Sequence, residues 1–156
     1  MKKAILMILS GIMLVLAGCT TAKQPPEKQK PLPVINAVDA KAAADAFMTQ
    51  FLAAVKDKDC QKLNVNLLSE RVAQNMTPAA FSKYCDGFAK HLGQIVRSTY
   101  VCDLSSPLCR SFIWKLTLER KLADPKDQTI IVDVLFQVQV IRVDDKYKIL
   151  NFIITR

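Results

Sequence analysis

Apolar and polar positions alternate along this chain with three different periods, and each period predicts a different element. From Ala4 to Ala17 the residues are almost all apolar, behind Met1-Lys2-Lys3. This continuous run is shorter than the ~20 residues that a membrane-spanning helix requires. Residues 20–37 hold Pro25, Pro26, Pro31 and Pro33 among charges and predict an extended, solvated tether. From Asp39, a plausible N-cap, Ala40, Ala44, Phe47, Phe51 and Val55 recur at spacings of four, three, four and four. That is the stripe of an amphipathic helix, fading at Lys56-Asp57-Lys58-Asp59. A shorter helix is expected over Gln61 to Val72, with Leu63, Leu67 and Leu68 inward. Thr77-Pro78 reads as an N-cap followed by proline at the first helical position. The helix it opens carries Phe81, Cys85, Phe88 and Leu92 on one face, and Gly93 closes it.

Beyond Gly93 the period drops to two. Residues 94–102 read as a strand, and Phe112, Trp114, Leu116 and Leu118 alternate with polar residues through a second strand over 110–120. Ala123-Asp124-Pro125-Lys126-Asp127 predicts a turn. A long strand follows over 129–143, with Ile130, Val132, Val134, Phe136, Val138 and Val140 on one face. Val143-Asp144-Asp145-Lys146 predicts another turn, and Tyr147 to Thr155 a closing strand. The predicted fold is α+β, about three N-terminal helices packed on a four-stranded antiparallel sheet. The chain divides into residues 1–18, a tether over 19–37, and a single domain over 38–156.

Composition narrows the function classes. The chain carries a formal charge of +8, which falls to +6 without residues 1–18, since only Lys2 and Lys3 leave. The basic residues are scattered, with Lys23, Lys28 and Lys30 in the tether, so no basic stripe interleaved with aromatics marks a nucleic-acid surface. Four glycines leave no phosphate-cradling loop, and neither Gly-x-Ser-x-Gly nor Ser-x-x-Lys occurs. His91 is the sole histidine and is expected on the surface at a helix end; no metal or cofactor is expected. Asp133 has the opposite parity to the apolar face of its strand, which directs it away from any pocket under the helices, where a general base would have to act.

Leu16-Ala17-Gly18-Cys19 closes the first apolar run, and this tetrapeptide resembles the lipobox of bacterial lipoproteins. The resemblance implies cleavage between Gly18 and Cys19 and acylation of Cys19, which becomes the membrane anchor. Two or three acyl chains hold a protein to a bilayer, where one holds only marginally. Thr20 stands where the family's inner-membrane retention signal has Asp. The implied location is the cell envelope: the periplasmic face of an outer membrane, or the outer surface in a cell with one membrane. Four cysteines then remain, Cys60, Cys85, Cys102 and Cys109, with three possible pairings. Cys102 and Cys109 flank a turn-rich stretch between two strands, where a bridge would clamp a hairpin. Cys60 would then pair with Cys85.

The order of elements, the long penultimate strand and the ending Asp144-Asp145-Lys146-Tyr147-Lys148-Ile149-Leu150-Asn151-Phe152 resemble the nuclear transport factor 2-like superfamily, over residues 38–156. That resemblance implies a cone-like fold with a curved sheet, able to dimerise or dock partners through the sheet's outer face. The residues expected there are Lys115, Thr117, Glu119, Asp133, Gln137 and Gln139, with Ile113, Ile131 and Leu135 interspersed. The leading expectation is a non-enzymatic binding or assembly module that meets an envelope protein through that face or holds a small apolar ligand. The alternatives are an isomerase or hydrolase acting in the cone pocket, and a constitutive accessory subunit of a secretion or surface apparatus.

Overall fold

A computed structural model of the chain describes residues 34–122 and 128–155. Gly18, Cys19, the tether up to residue 33 and the turn expected at Ala123–Asp127 lie outside the described residues.

The first helix, α1 (Ala37–Asp57), starts three residues earlier than its apolar stripe suggests. Its N-cap is Asn36 rather than Asp39. The Asn36 side-chain oxygen accepts from the backbone N–H groups of Val38 (2.8 Å) and Asp39 (3.4 Å), leaving Asp39 in the first turn, where its charge suits the helix dipole. Asn36 is itself fixed, because its N–H donates to the Tyr147 hydroxyl at 3.0 Å. The buried stripe comprises Ala40, Ala44, Phe47, Met48, Phe51 and Ala54, and the three alanines let the helix backbone lie close to the sheet. Lys58 ends the helix in a left-handed conformation, φ 53°.

The single helix expected over Gln61–Val72 does not form. Two 3-10 turns, Cys60–Lys62 and Val65–Leu67, and a six-residue helix, α2 (Glu70–Asn75), occupy this stretch. Asp59 and Asn64 explain the break. Each turns its side-chain oxygen onto the backbone N–H two residues ahead, at 2.9 Å, and starts a new short turn instead of continuing the last one. Leu68 then forms a parallel bridge with Ile149, and the Ser69 N–H donates to the Ile149 carbonyl at 2.9 Å. Leu63 and Leu68 are buried as expected, whereas Leu67 is only half-buried.

Helix α3 (Pro78–His91) follows its sequence signals closely. The Thr77 hydroxyl caps the Ala80 N–H, Pro78 occupies the first turn, and Phe81, Cys85 and Phe88 are buried. Strands β1 (Gln94–Ser105), β2 (Arg110–Lys121), β3 (Thr129–Val143) and β4 (Lys146–Thr155) form an antiparallel meander in the order β1-β2-β3-β4. Asp144 and Asp145 both take positive φ, 46° and 61°, as a two-residue hairpin between right-twisted strands requires. The core lies between the helices and one sheet face. Phe51 is at its centre, with ring centroids 4.7 Å from Phe136, 5.4 Å from Phe152 and 5.8 Å from Phe47. The domain is thus α+β, with three helices and an open four-stranded antiparallel sheet.

Candidate functional site

Two surfaces could take a partner or ligand: the sheet face turned away from the helices and a groove at the β1 edge. Strand pairing places Thr117 opposite Asp133, Glu119 opposite Ile131, Lys115 opposite Leu135, Ile113 opposite Gln137 and Ser111 opposite Gln139. All six expected polar residues therefore share the outer face, since residues two apart on a strand point to one side. Leu135 faces Thr155, and Gln137 faces Ile153, on β4.

Lys115, Thr117, Asp133 and Gln137 of this face are engaged with neighbours on it. Thr117 is only 8% exposed; its hydroxyl donates to one Asp133 oxygen at 2.8 Å, and Lys115 approaches the other at 3.1 Å. The Thr117 hydrogen bond first, then Lys115, hold the Asp133 carboxyl below the usual aspartate range. The Gln137 amide donates to the Ser111 hydroxyl at 2.9 Å, and Ser111 is 7% exposed. Around this network lie exposed apolar side chains: Ile131 at 64%, Leu135 at 44% and Ile153 at 42%. Gln139 borders a separate cleft with Arg71, Asn75, Asn151 and Phe152.

The groove is formed by the second half of α1, α3 and the start of β1. Its volume is about 670 Å³, and it is lined by Leu52, Val55, Phe88 and Ile95, with Lys56, Lys58 and Arg97 among the polar residues of its wall. A β-bulge between Ile95 and Arg97 interrupts the β1–β2 register beside it. The Lys58 ammonium is held by Asp86 at 2.7 Å.

A third cluster, at the other end of β1, was not expected from the sequence. The Lys41 ammonium lies 4.1 Å from the centre of the Tyr100 ring and 5.7 Å from that of Trp114, while bonding both Asp45 oxygens at 2.6 and 2.7 Å. The Tyr100 hydroxyl donates to Asp103 at 3.0 Å, and Arg110 binds the other Asp103 oxygen at 2.6 Å. Desolvation, then the Asp103 hydrogen bond, push the Tyr100 phenol up to about 12. Every charge in this cluster has a partner, so it braces α1 against the sheet end. Trp114 belongs to the brace and is buried, as its strand parity predicts.

All four described cysteines are free thiols, and neither expected bridge is formed. For Cys102 and Cys109 the reason is register. Cys102 pairs with Ile113, three pairs before Ser105 meets Arg110, so Cys109 lies opposite Ser106, about 13 Å further along the ladder. A disulfide needs Cα atoms within about 7 Å. Ser106 closes the hairpin instead, its hydroxyl accepting from the Cys109 N–H at 3.1 Å while the Cys109 carbonyl accepts from the Ser106 N–H at 2.9 Å. Cys85 is buried in α3, and burial raises its thiol above the ordinary range. Cys60 is half-buried in the first 3-10 turn.

His91 is exposed in the last turn of α3. Among the described residues no three metal-ligating side chains come together, and no helix is long and apolar enough to cross a membrane.

By fold, the described domain belongs to the α+β class, helices over one face of an antiparallel meander. No family model matches the chain, and no curated protein does. Among solved structures it is similar to the intermembrane space region of the chloroplast protein ARC6, with a TM-score of 0.41 and 12% identity. That match covers 78% of this chain and 98% of the other.

Proposed function

We propose that the chain is an envelope lipoprotein, anchored through acyl chains on Cys19, whose cone-like domain is a non-enzymatic binding or assembly module. Cleavage after Gly18 frees Cys19 for acylation, and the proline-rich tether sets the reach of the domain from the outer-membrane leaflet facing the periplasm, or from the outer surface where there is one membrane. The observation that carries the binding reading is the sheet's outer face. Ile131, Leu135 and Ile153 are exposed around a polar network whose hydrogen bonds are already satisfied. Such a face can be covered by a protein partner, or by a second copy, without leaving the Thr117–Asp133–Lys115 group unpaired.

The anchor and the interface are tested separately. Cys19→Ser should abolish labelling by an alkyne fatty acid and leave the precursor unprocessed; normal processing would overturn the lipoprotein assignment. A photocrosslinker placed at Gln137 or Lys115 in cells should give a discrete adduct, lost in Leu135→Glu. The absence of any adduct from both sites would remove the sheet face as the interface.

The groove favours a second form of the same reading, in which the module holds a small ligand with apolar surface. Its lining by Leu52, Val55, Phe88 and Ile95 supports that form, and its volume falls within the ~300–1,000 Å³ of small-molecule sites.

A further inference from the structure

We propose that the tip of the β1–β2 hairpin, Ser106–Cys109 with Leu104 beside it, seats in the head-group boundary of the bilayer that holds the anchor. The proposal rests on the lipoprotein reading above and adds the surface that the domain turns to the lipid.

Strand order sets which end of the domain that is. Arg110 pairs with Val140 and Val143 with Lys146, so the β1–β2 and β3–β4 turns project from the same end of the meander. The chain also enters there: the Arg142 guanidinium donates to the Val34 carbonyl at 3.1 Å, and the Asn36 N–H to the Tyr147 hydroxyl at 3.0 Å. Cys19 and Val34 are 15 positions apart. A coil of that length spans about 20 Å on average and a polyproline chain about 45 Å. With the entry end towards the bilayer, a coil suffices. Turned the other way up, the entry point would stand a 12-residue strand, about 40 Å, above the lipid, and the chain would have to be nearly extended.

The same end carries the three most exposed large apolar side chains among the described residues, Val34 (81%), Val38 (75%) and Leu108 (69%), with Leu104 at 59%. The β1–β2 tip can lose water at little cost. No charge occurs from Leu104 to Cys109, and the flanking Asp103 and Arg110 neutralise each other at 2.6 Å. Pro107 has no N–H. The Ser106 N–H donates to the Cys109 carbonyl and the Cys109 N–H to the Ser106 hydroxyl, so the turn keeps only the Leu108 N–H outside its own bonds. Leu104, Pro107 and Leu108 therefore gain from the acyl boundary with few polar groups to desolvate. The β3–β4 tip differs: Asp144 and Asp145 stand at it and stay in water, which tilts the contact towards β1–β2. Lys41, Arg110 and Arg142 each pair with an aspartate, so apolar contact rather than charge favours lipid here. A four-residue tip is also far smaller than the ~800 Å² per partner of a stable protein interface.

The test uses the full protein purified from cells and reconstituted in phosphatidylcholine vesicles whose acyl chains are brominated near the head group. Leu108→Trp should be quenched about twofold, and Ile131→Trp, near the other end of the sheet, no more than the buried Trp114 of the unsubstituted protein. Adding Leu104→Asp to Leu108→Trp should remove at least about half of that quenching with an unchanged urea midpoint. Replacing part of the phosphatidylcholine by phosphatidylglycerol should leave the quenching as it was.

Unquenched Leu108→Trp in protein that carries the fatty-acid label would overturn the docked tip and leave the anchor standing. Quenching in protein without the label would overturn the anchor and keep the tip. Equal quenching at both tryptophans, or quenching that rises with phosphatidylglycerol, would overturn the apolar tip. A photocrosslinker at Leu108 that captures a protein in cells, with no quenching in vesicles, would overturn the bilayer as the occupant.

Discussion

Gly93 and Gly87 lie six residues apart in sequence, and alanine at the two positions should change stability in opposite directions. Gly93 follows Leu92, the C-cap of α3, with φ 102°, and its N–H donates to the Phe88 and Ala89 carbonyls at 3.3 and 3.2 Å. A Cβ built there would lie 2.2 Å from the Glu119 carbonyl oxygen, 2.8 Å from its carbon and 3.0 Å from the Arg120 Cα. All three atoms are backbone, so no side chain can swing aside. Forcing a non-glycine residue into this conformation costs about 1–3 kcal/mol. Moving β2 away from the α3–β1 junction loses the Gln94–Glu119 pair, about 1 kcal/mol more for each hydrogen bond broken. Gly93→Ala should therefore destabilise the domain by about 3–5 kcal/mol. At Gly87, inside α3, a Cβ would meet nothing within 4 Å. Alanine there should stabilise by about 0.5–1 kcal/mol through helix propensity. Urea unfolding followed by Trp114 emission and far-UV circular dichroism measures both. With a slope of about 1–3 kcal/mol per molar urea, Gly93→Ala lowers the midpoint by a molar unit or more, and Gly87→Ala raises it. A Gly93→Ala midpoint indistinguishable from wild type would refute the close approach to Glu119.

Phe51 is fully buried among Phe47, Phe136, Phe152 and Tyr84, so Phe51→Ala should cost about 3–5 kcal/mol in the same urea assay; a loss below about 1 kcal/mol would mean that the aromatic cluster is not the centre of the core. Asp57, Asp103 and Asp133 are all held below the ordinary carboxylate range by Lys62, Arg110 and Thr117 respectively. Their contribution is thus present above the unfolded aspartate value of about 3.9 and is lost as pH falls through the lower folded values. The urea midpoint should fall between pH 5 and pH 2, and a flat profile would contradict these pairings. Thr117→Val should move the Asp133 carboxyl up towards the ordinary value in a carbon-13 titration, and an unmoved titration would refute the hydrogen bond's role.

The sheet and the two long helices were legible because their signals are local and dense. The alternation through β2 and β3 names nearly the whole inner face, and Thr77-Pro78 with Gly93 brackets α3 to within two residues. The stretch after α1 was misread because its leucines have helical spacing while Asp59 and Asn64 divert the backbone. Its outcome was decided by pairing with Ile149, some eighty residues away, which no local period records. The cysteines show the same limit. Residues 102 and 109 flank a turn in sequence, yet a bridge depends on cross-strand register, and register placed Ile113 opposite Cys102. The groove was invisible for a related reason, since its wall is drawn from residues 52–58, 85–89 and 93–98.

Shape separates the two candidate surfaces more sharply than hydrophobicity does, since both expose apolar side chains. On the sheet's outer face Asp133 is occupied by Thr117 and Lys115, and Gln137 by Ser111, so these polar groups already have partners. Covering that face desolvates satisfied groups and gains chiefly from Ile131, Leu135 and Ile153, a balance that suits a broad protein surface and gives little selectivity by charge. In the groove the apolar residues Leu52, Val55, Phe88 and Ile95 line a concave wall, and Lys58 at its margin is already paired with Asp86. In the reading proposed above, the sheet face therefore suits a broad protein partner and the groove a small ligand with apolar surface.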